Sequence, residues 1–146
     1  MKVIVPLDGS AFAEAVLPTV ALLAHKGGID VKLVSVLKPS SPAQETTGTS
    51  AENPEQALDV DSLVHEDYLT RVFKDHFLGR AGATVIEGRH VAEELIRHFR
   101  DEEADFITMA THGRTGLARL VMGSVAQDIM NTGDVPVMLV RPKGLN

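Results

Sequence analysis

The chain has 146 residues, 44% apolar and 23% charged, the profile of one globular domain with a sizeable core. It contains no cysteine, which excludes disulfides, thiolate metal sites, iron–sulfur clusters and cysteine nucleophiles. A formal charge of −6 and an aromatic content of 4% argue against a nucleic-acid coat or a base-stacking platform.

The first apolar run, Lys2–Leu7, carries Val3, Ile4 and Val5 and is stopped by Pro6 and Asp8. It is too short for a secretory leader, and no later segment is long enough to span a bilayer, so the expected setting is the cytoplasm, with no membrane partner. Ala11–Ala24 places Phe12, Val16, Val20 and Leu23 along one helical stripe, with Gly27-Gly28 as a stop. Pro18 falls inside that stripe and predicts a kink, because it lacks a backbone donor. A second β-branched run follows at Val31–Leu37. Lys38–Val60 holds Pro39, Pro42 and Pro54 among polar residues without apolar periodicity, and reads as a variable solvated loop or a functional lid.

Asp61–Leu78 is helical in pattern, with Leu69, Val72, Phe73 and Phe77 on one side and His76 at the core or its boundary. Ala83–Glu87 is a third short strand, Val91–Arg100 a third helix, and Asp105–Ala110 a fourth strand. Ser124–Met130 makes a final helix and Val135–Val140 a final strand. Five short apolar runs alternating with about four helices predict a three-layer α/β sandwich around a mainly parallel sheet, as one domain spanning 1–146.

In such a sheet, ligands sit beyond the carboxyl ends of the strands. Pro6-Leu7-Asp8-Gly9-Ser10 follows the first strand, where Asp8 either shares a helix cap with Ser10 or accepts hydrogen bonds from a ligand. Ala110-Thr111-His112-Gly113-Arg114 begins a longer loop that ends in Gly123-Ser124 at a helix start. Glycines let backbone N–H groups approach an anion, and a helix N-terminus adds free donors, so this loop reads as a phosphate cradle or as a flexible turn before a capped helix. Charge distribution agrees with the cradle: residues 111–146 carry four basic and two acidic side chains, while 38–80 carry four and eight. No Walker A loop, G-x-G-x-x-G or nucleophile elbow is present. The histidines (His25, His65, His76, His90, His98 and His112) lack metal-ligand spacing, and surface or cap roles suit most of them.

These residues together resemble the universal stress protein family. The P-x-D-x-S opening is present as Pro6-Leu7-Asp8-Gly9-Ser10, followed by Ala13-Glu14-Ala15-Val16-Leu17-Pro18. The G-x-x-G, nine residues, G-[S/T] motif of ATP-binding members appears as Ala110 to Gly113, residues 114–122, then Gly123-Ser124. Pro136–Arg141 resembles the family's last strand. Two departures stand out: Ala110 replaces the motif's first glycine, and Ser35 replaces a histidine common at the end of the second strand.

The resemblance implies an adenine nucleotide alpha hydrolase-like sheet of strand order 3-2-1-4-5. It implies ATP, or ADP or AMP, with its base between the first two strand ends near Asp8 and the backbone of Val36. Gly113, Arg114, Gly123, Ser124 and Val125 would surround the phosphates, with Mg²⁺ beside them, and Pro6, Leu7, Met109, Ala110 and His112 would complete the site. It also implies a homodimer through Val135–Val140. The leading expectation is an ATP-binding, dimeric stress-response module. The alternatives are a slow ATP hydrolase or phosphotransferase in the same pocket, or a nucleotide-free dimeric interaction protein. The enzyme alternative has only His112 and Asp8 as candidate bases, and no catalytic residue is assigned.

Overall fold

The computed structural model describes residues 1–39, 54–77, 81–111 and 123–141. The strands are β1 (Lys2–Pro6), β2 (Asp30–Leu37), β3 (Ala81–Glu87), β4 (Phe106–Ala110) and β5 (Val137–Val140), and the helices α1 (Ala11–Glu14), α2 (Leu17–Gly27), α3 (Pro54–His76), α4 (Val91–Asp101) and α5 (Ser124–Asn131). All four pairings are parallel and the order is β3-β2-β1-β4-β5, the order that the family resemblance implied.

Residue alternation on the strands divides the interior in two. Val3, Val5, Leu7, Val31 and Leu33 point to one face, where Val16, Leu17 and Val20 at the start of α2 and Leu69, Val72 and Phe77 at the end of α3 cover them. Ile4, Val34 and Ile107 point to the other, against Leu95, Ile96 and Ile129 of α4 and α5. The sheet is thus the middle layer of three. Among the described residues no helix is long and apolar enough to cross a membrane.

Four sequence expectations need correction. The first helical stripe is two helices rather than one kinked helix: α1 ends at Glu14, four residues before Pro18, where the missing N–H and the proline ring deny the Glu14 carbonyl its partner. Pro18 is instead the second residue of α2, a position that needs no donor. The long connection is shorter than 38–60, because α3 already starts at Pro54, and residues 40–53 lie outside the described set. The last strand begins at Val137, two residues late; Pro136 precedes it and contributes its carbonyl to Ile107 N–H at 2.9 Å. His76 is exposed, with its ring tilted against Phe77 at 6.4 Å, since burial would leave a polar ring without partners.

The amino ends of the strands are tied by charge. Lys2 Nζ donates to the Glu102 carboxylate at 3.0 Å and to its carbonyl at 2.5 Å, while Lys32 Nζ lies 3.8 Å from the same carboxylate. Lys2 holds the Glu102 carboxyl below its ordinary range, with help from Lys32 and against partial burial. A lowered native pKa stabilises the fold above the unfolded value of about 4.5, and that stabilisation is lost as pH falls through the native value. With both side chains about 30% exposed, Glu102→Gln is expected to cost only ~0.5–1 kcal/mol at neutral pH. Urea unfolding of the two proteins should show that difference closing in acid. A gap that persisted at strongly acidic pH would remove the ion pairs as its cause.

Candidate functional site

Winding along the sheet reverses between β1 and β4, so the connections leaving these two strands run in opposite directions and open a crevice at their carboxyl ends. A cavity of about 600 Å³ occupies it. Nine of the residues singled out from the sequence line this one cavity: Pro6, Leu7 and Asp8 after β1, Val36 on β2, Met109 and Ala110 on β4, and Gly123, Ser124 and Val125 at the start of α5. His112, Gly113 and Arg114 lie outside the described residues.

The β1 end is built by a tight turn. Asp8 Oδ1 accepts from Ser10 N at 2.9 Å and from Ser10 Oγ at 2.6 Å, an Asx turn made possible by Gly9 at φ 82°. Ser10 Oγ in turn accepts from Ala13 N at 3.1 Å and caps α1. The cap is therefore Ser10, and Asp8 supports it with one oxygen. Asp8 Oδ2 has no hydrogen-bond partner among the described residues. Both readings of Asp8 from the sequence thus fit one side chain.

Helix α3 locks onto this turn. Tyr68 Oη donates to Glu14 Oε1 at 2.9 Å, and burial together with the Glu14 carboxylate pushes its pKa well above the usual tyrosine range. The hydroxyl therefore stays protonated and joins α3 to α1. One turn earlier, His65 reaches the cavity with Nδ1 2.7 Å from Ser35 Oγ.

At the opposite wall, α5 begins without a side-chain cap, because its N-cap residue is Gly123. Gly123 has φ −64°, which any residue adopts, and a Cβ built there meets nothing within 4 Å among the described residues. The fold itself therefore does not require glycine at this position. Among the described residues, glycine leaves the first-turn amides without a side chain in front of them, a position that suits an anion. Lys38, at the end of β2, lines both this cavity and an adjoining groove of about 380 Å³ that also contains Arg89 and Ser124. The dimensions and donors thus fit a nucleotide: an apolar chamber with a few convergent polar groups. Among the described residues no cluster of three or more histidine or acidic side chains could hold a metal ion.

Sequence reasoning missed Lys38 and His65. Lys38 sits in a strand-end loop and was available as a basic residue next to Leu37. His65 carries no local signal, since only the packing of α3 on β2 brings it to Ser35, 30 positions away.

Comparisons with known proteins agree with this arrangement. Universal stress protein MJ0577 of Methanocaldococcus jannaschii is 35% identical over 51 residues, which is 35% of this chain and 32% of that protein, so the matched part spans about a third of the relative. Stress response protein NhaX of Bacillus subtilis is 25% identical over 96% of this chain and 97% of its own. The solved structure of MJ0577 superposes with a TM-score of 0.73 at 23% identity, covering 98% of this chain and 96% of that one. A universal stress protein in complex with cAMP matches at TM-score 0.63 and 15% identity over 98% of both chains. One from Archaeoglobus fulgidus in complex with dAMP matches at 0.59 and 20%, over 95% and 96%. The profile of the universal stress protein family itself covers residues 1–141, so strand order, crevice and sequence motif converge, and the chain belongs to that family.

Proposed function

We propose that this chain is a one-domain, cytoplasmic, adenine-nucleotide-binding module that acts in stress response as a homodimer and works by binding rather than by turnover. The observation that carries this reading is Gly123, an N-cap glycine that the backbone does not need, set before uncapped helix amides in a cavity of about 600 Å³. The cAMP and dAMP complexes of two structural neighbours support a nucleotide as the occupant.

ATP is the proposed ligand. Asp8 and the Val36 backbone serve the base and ribose, and Pro6, Leu7, Met109 and Ala110 form the apolar wall. Gly123, Ser124 and Val125 take the phosphates from one side, with His112, Gly113 and Arg114 assigned to the other. Mg²⁺ belongs to the phosphates rather than to a carboxylate cluster of the protein. The homodimer forms along β5, whose apolar Val137–Val140 is an edge strand with no partner on its outer side among the described residues.

Purified protein tests this directly. Nucleotide released on denaturation, identified by mass, and a saturable calorimetric signal with ATP at one per chain are the expected results, with light scattering giving the mass of two chains. Protein that is free of nucleotide and gives no heat with ATP, ADP or AMP would sink the reading.

A further inference from the structure

His65 belongs to α3, outside every motif that points to the nucleotide, yet it lines the cavity. Its Nδ1 lies 2.7 Å from the hydroxyl of Ser35, which is 1% exposed on the face of β2 that α3 covers. Neither the Ser35 hydroxyl nor His65 Nε2 has another hydrogen-bond partner among the described residues. Two proton arrangements fit that distance. If Nδ1–H donated to Ser35, the serine proton would be buried without an acceptor, at the cost of a desolvated donor. If Ser35 O–H donates to Nδ1, both groups are satisfied and the ring proton sits on Nε2. The buried serine therefore fixes the tautomer and leaves His65 with an Nε2–H donor for the cavity.

Its placement within the site is equally informative. The α5 N-terminus and β4 stand on one side of β1, and β2 on the other. Strands β4 and β2 are two spacings, roughly 10 Å, apart, and α5 and α3 cover opposite faces of the sheet, so the phosphate end stands well apart from Ser35 and His65. Asp8, between them, can only accept when ionised. A nucleoside carries both donors and acceptors, and the described cavity wall near β2 supplies an acceptor in Asp8 and donors in His65 and Lys38.

We infer that His65 is a nucleotide-recognition residue whose Nε2–H, oriented by Ser35, donates to an acceptor on the nucleoside half of the bound nucleotide. The inference rests on the nucleotide-binding reading above and deepens it.

Calorimetry with ATP on wild type, His65→Asn, His65→Gln and Ser35→Ala tests it. Asparagine keeps a polar atom at the reach of Nδ1 but has none at Nε2, so ATP binding should weaken about tenfold with an unchanged melting temperature. Glutamine, whose amide reaches the Nε2 position, should recover most of the loss. Repeating the wild-type and His65→Asn titrations with 2′-deoxy-ATP and with 1-, 3- and 7-deaza-ATP locates the acceptor: the analogue lacking it binds both proteins alike. Nitrogen-detected NMR of the His65 ring should show Nε2 protonated and Nδ1 bare, and Ser35→Ala should blur that pattern while weakening ATP binding. Wild-type affinity in His65→Asn, a proton fixed on Nδ1, or an undiminished loss on every analogue would overturn the assignment. If the wild type itself bound no ATP, the nucleotide reading would fall and this inference with it.

Discussion

Replacing Gly123 by valine is expected to abolish ATP binding while leaving the protein folded. Among the described residues nothing lies within 4 Å of a Cβ at Gly123, so the described fold leaves room for the larger side chain with its two methyl groups. With nucleotide present, those methyls occupy the position before the α5 amides, where the phosphates must approach to hydrogen-bond distance. Losing that approach removes several charge-assisted hydrogen bonds at once, so affinity should fall at least about 100-fold, or ~3 kcal/mol. Valine is a poor N-cap, which costs the fold no more than ~1 kcal/mol. Calorimetry and a melting curve on the same sample separate the two effects. Gly123→Ala, with one methyl, should fall between them. Wild-type affinity in the valine variant would refute the phosphate cradle.

Ile107→Ala should have the largest effect on stability. Ile107 is fully buried in β4, opposite Ile4 of β1 and Val137 of β5, and packs into the cluster under α4 and α5. Truncation removes three carbons' worth of burial and leaves a cavity in a layer held on both flanks, so the loss should be ~3–4 kcal/mol. For a chain of this size that lowers the midpoint by roughly 10 °C. Urea and thermal unfolding measure it. A loss below ~1 kcal/mol would mean that the α4–α5 layer collapses onto the gap far more readily than a close-packed interior allows.

The fold was legible because its determinants are local. β-branched runs such as Val3-Ile4-Val5 and stripes such as Leu69, Val72 and Phe77 report their own burial, and the structure buries each of these residues. Boundaries were less legible where one residue has two uses. Pro18 can kink a helix or start one, and only the carbonyl four residues earlier decides, which is why one predicted helix became α1 and α2. Pro54 likewise reads as loop from its neighbours but opens α3. On the site side, the nine described motif residues meet round one cavity because each sits at a strand end or helix start. Ser35–His65 and Glu14–Tyr68 were not legible, since they join positions 30 and 54 apart through the packing of α3 alone.

The ionic tie around Lys2 also has a practical use. It gathers Glu102, Lys32 and Asp105 at the amino ends of the strands, while the cavity opens at the carboxyl ends. Met1 lies next to that tie, 72% exposed, and the five residues of β1 set it roughly 17 Å from the cavity. A fluorophore or surface tether attached there leaves the cavity mouth unobstructed. Immobilised binding measurements through Met1 will therefore report the same site as measurements in free solution.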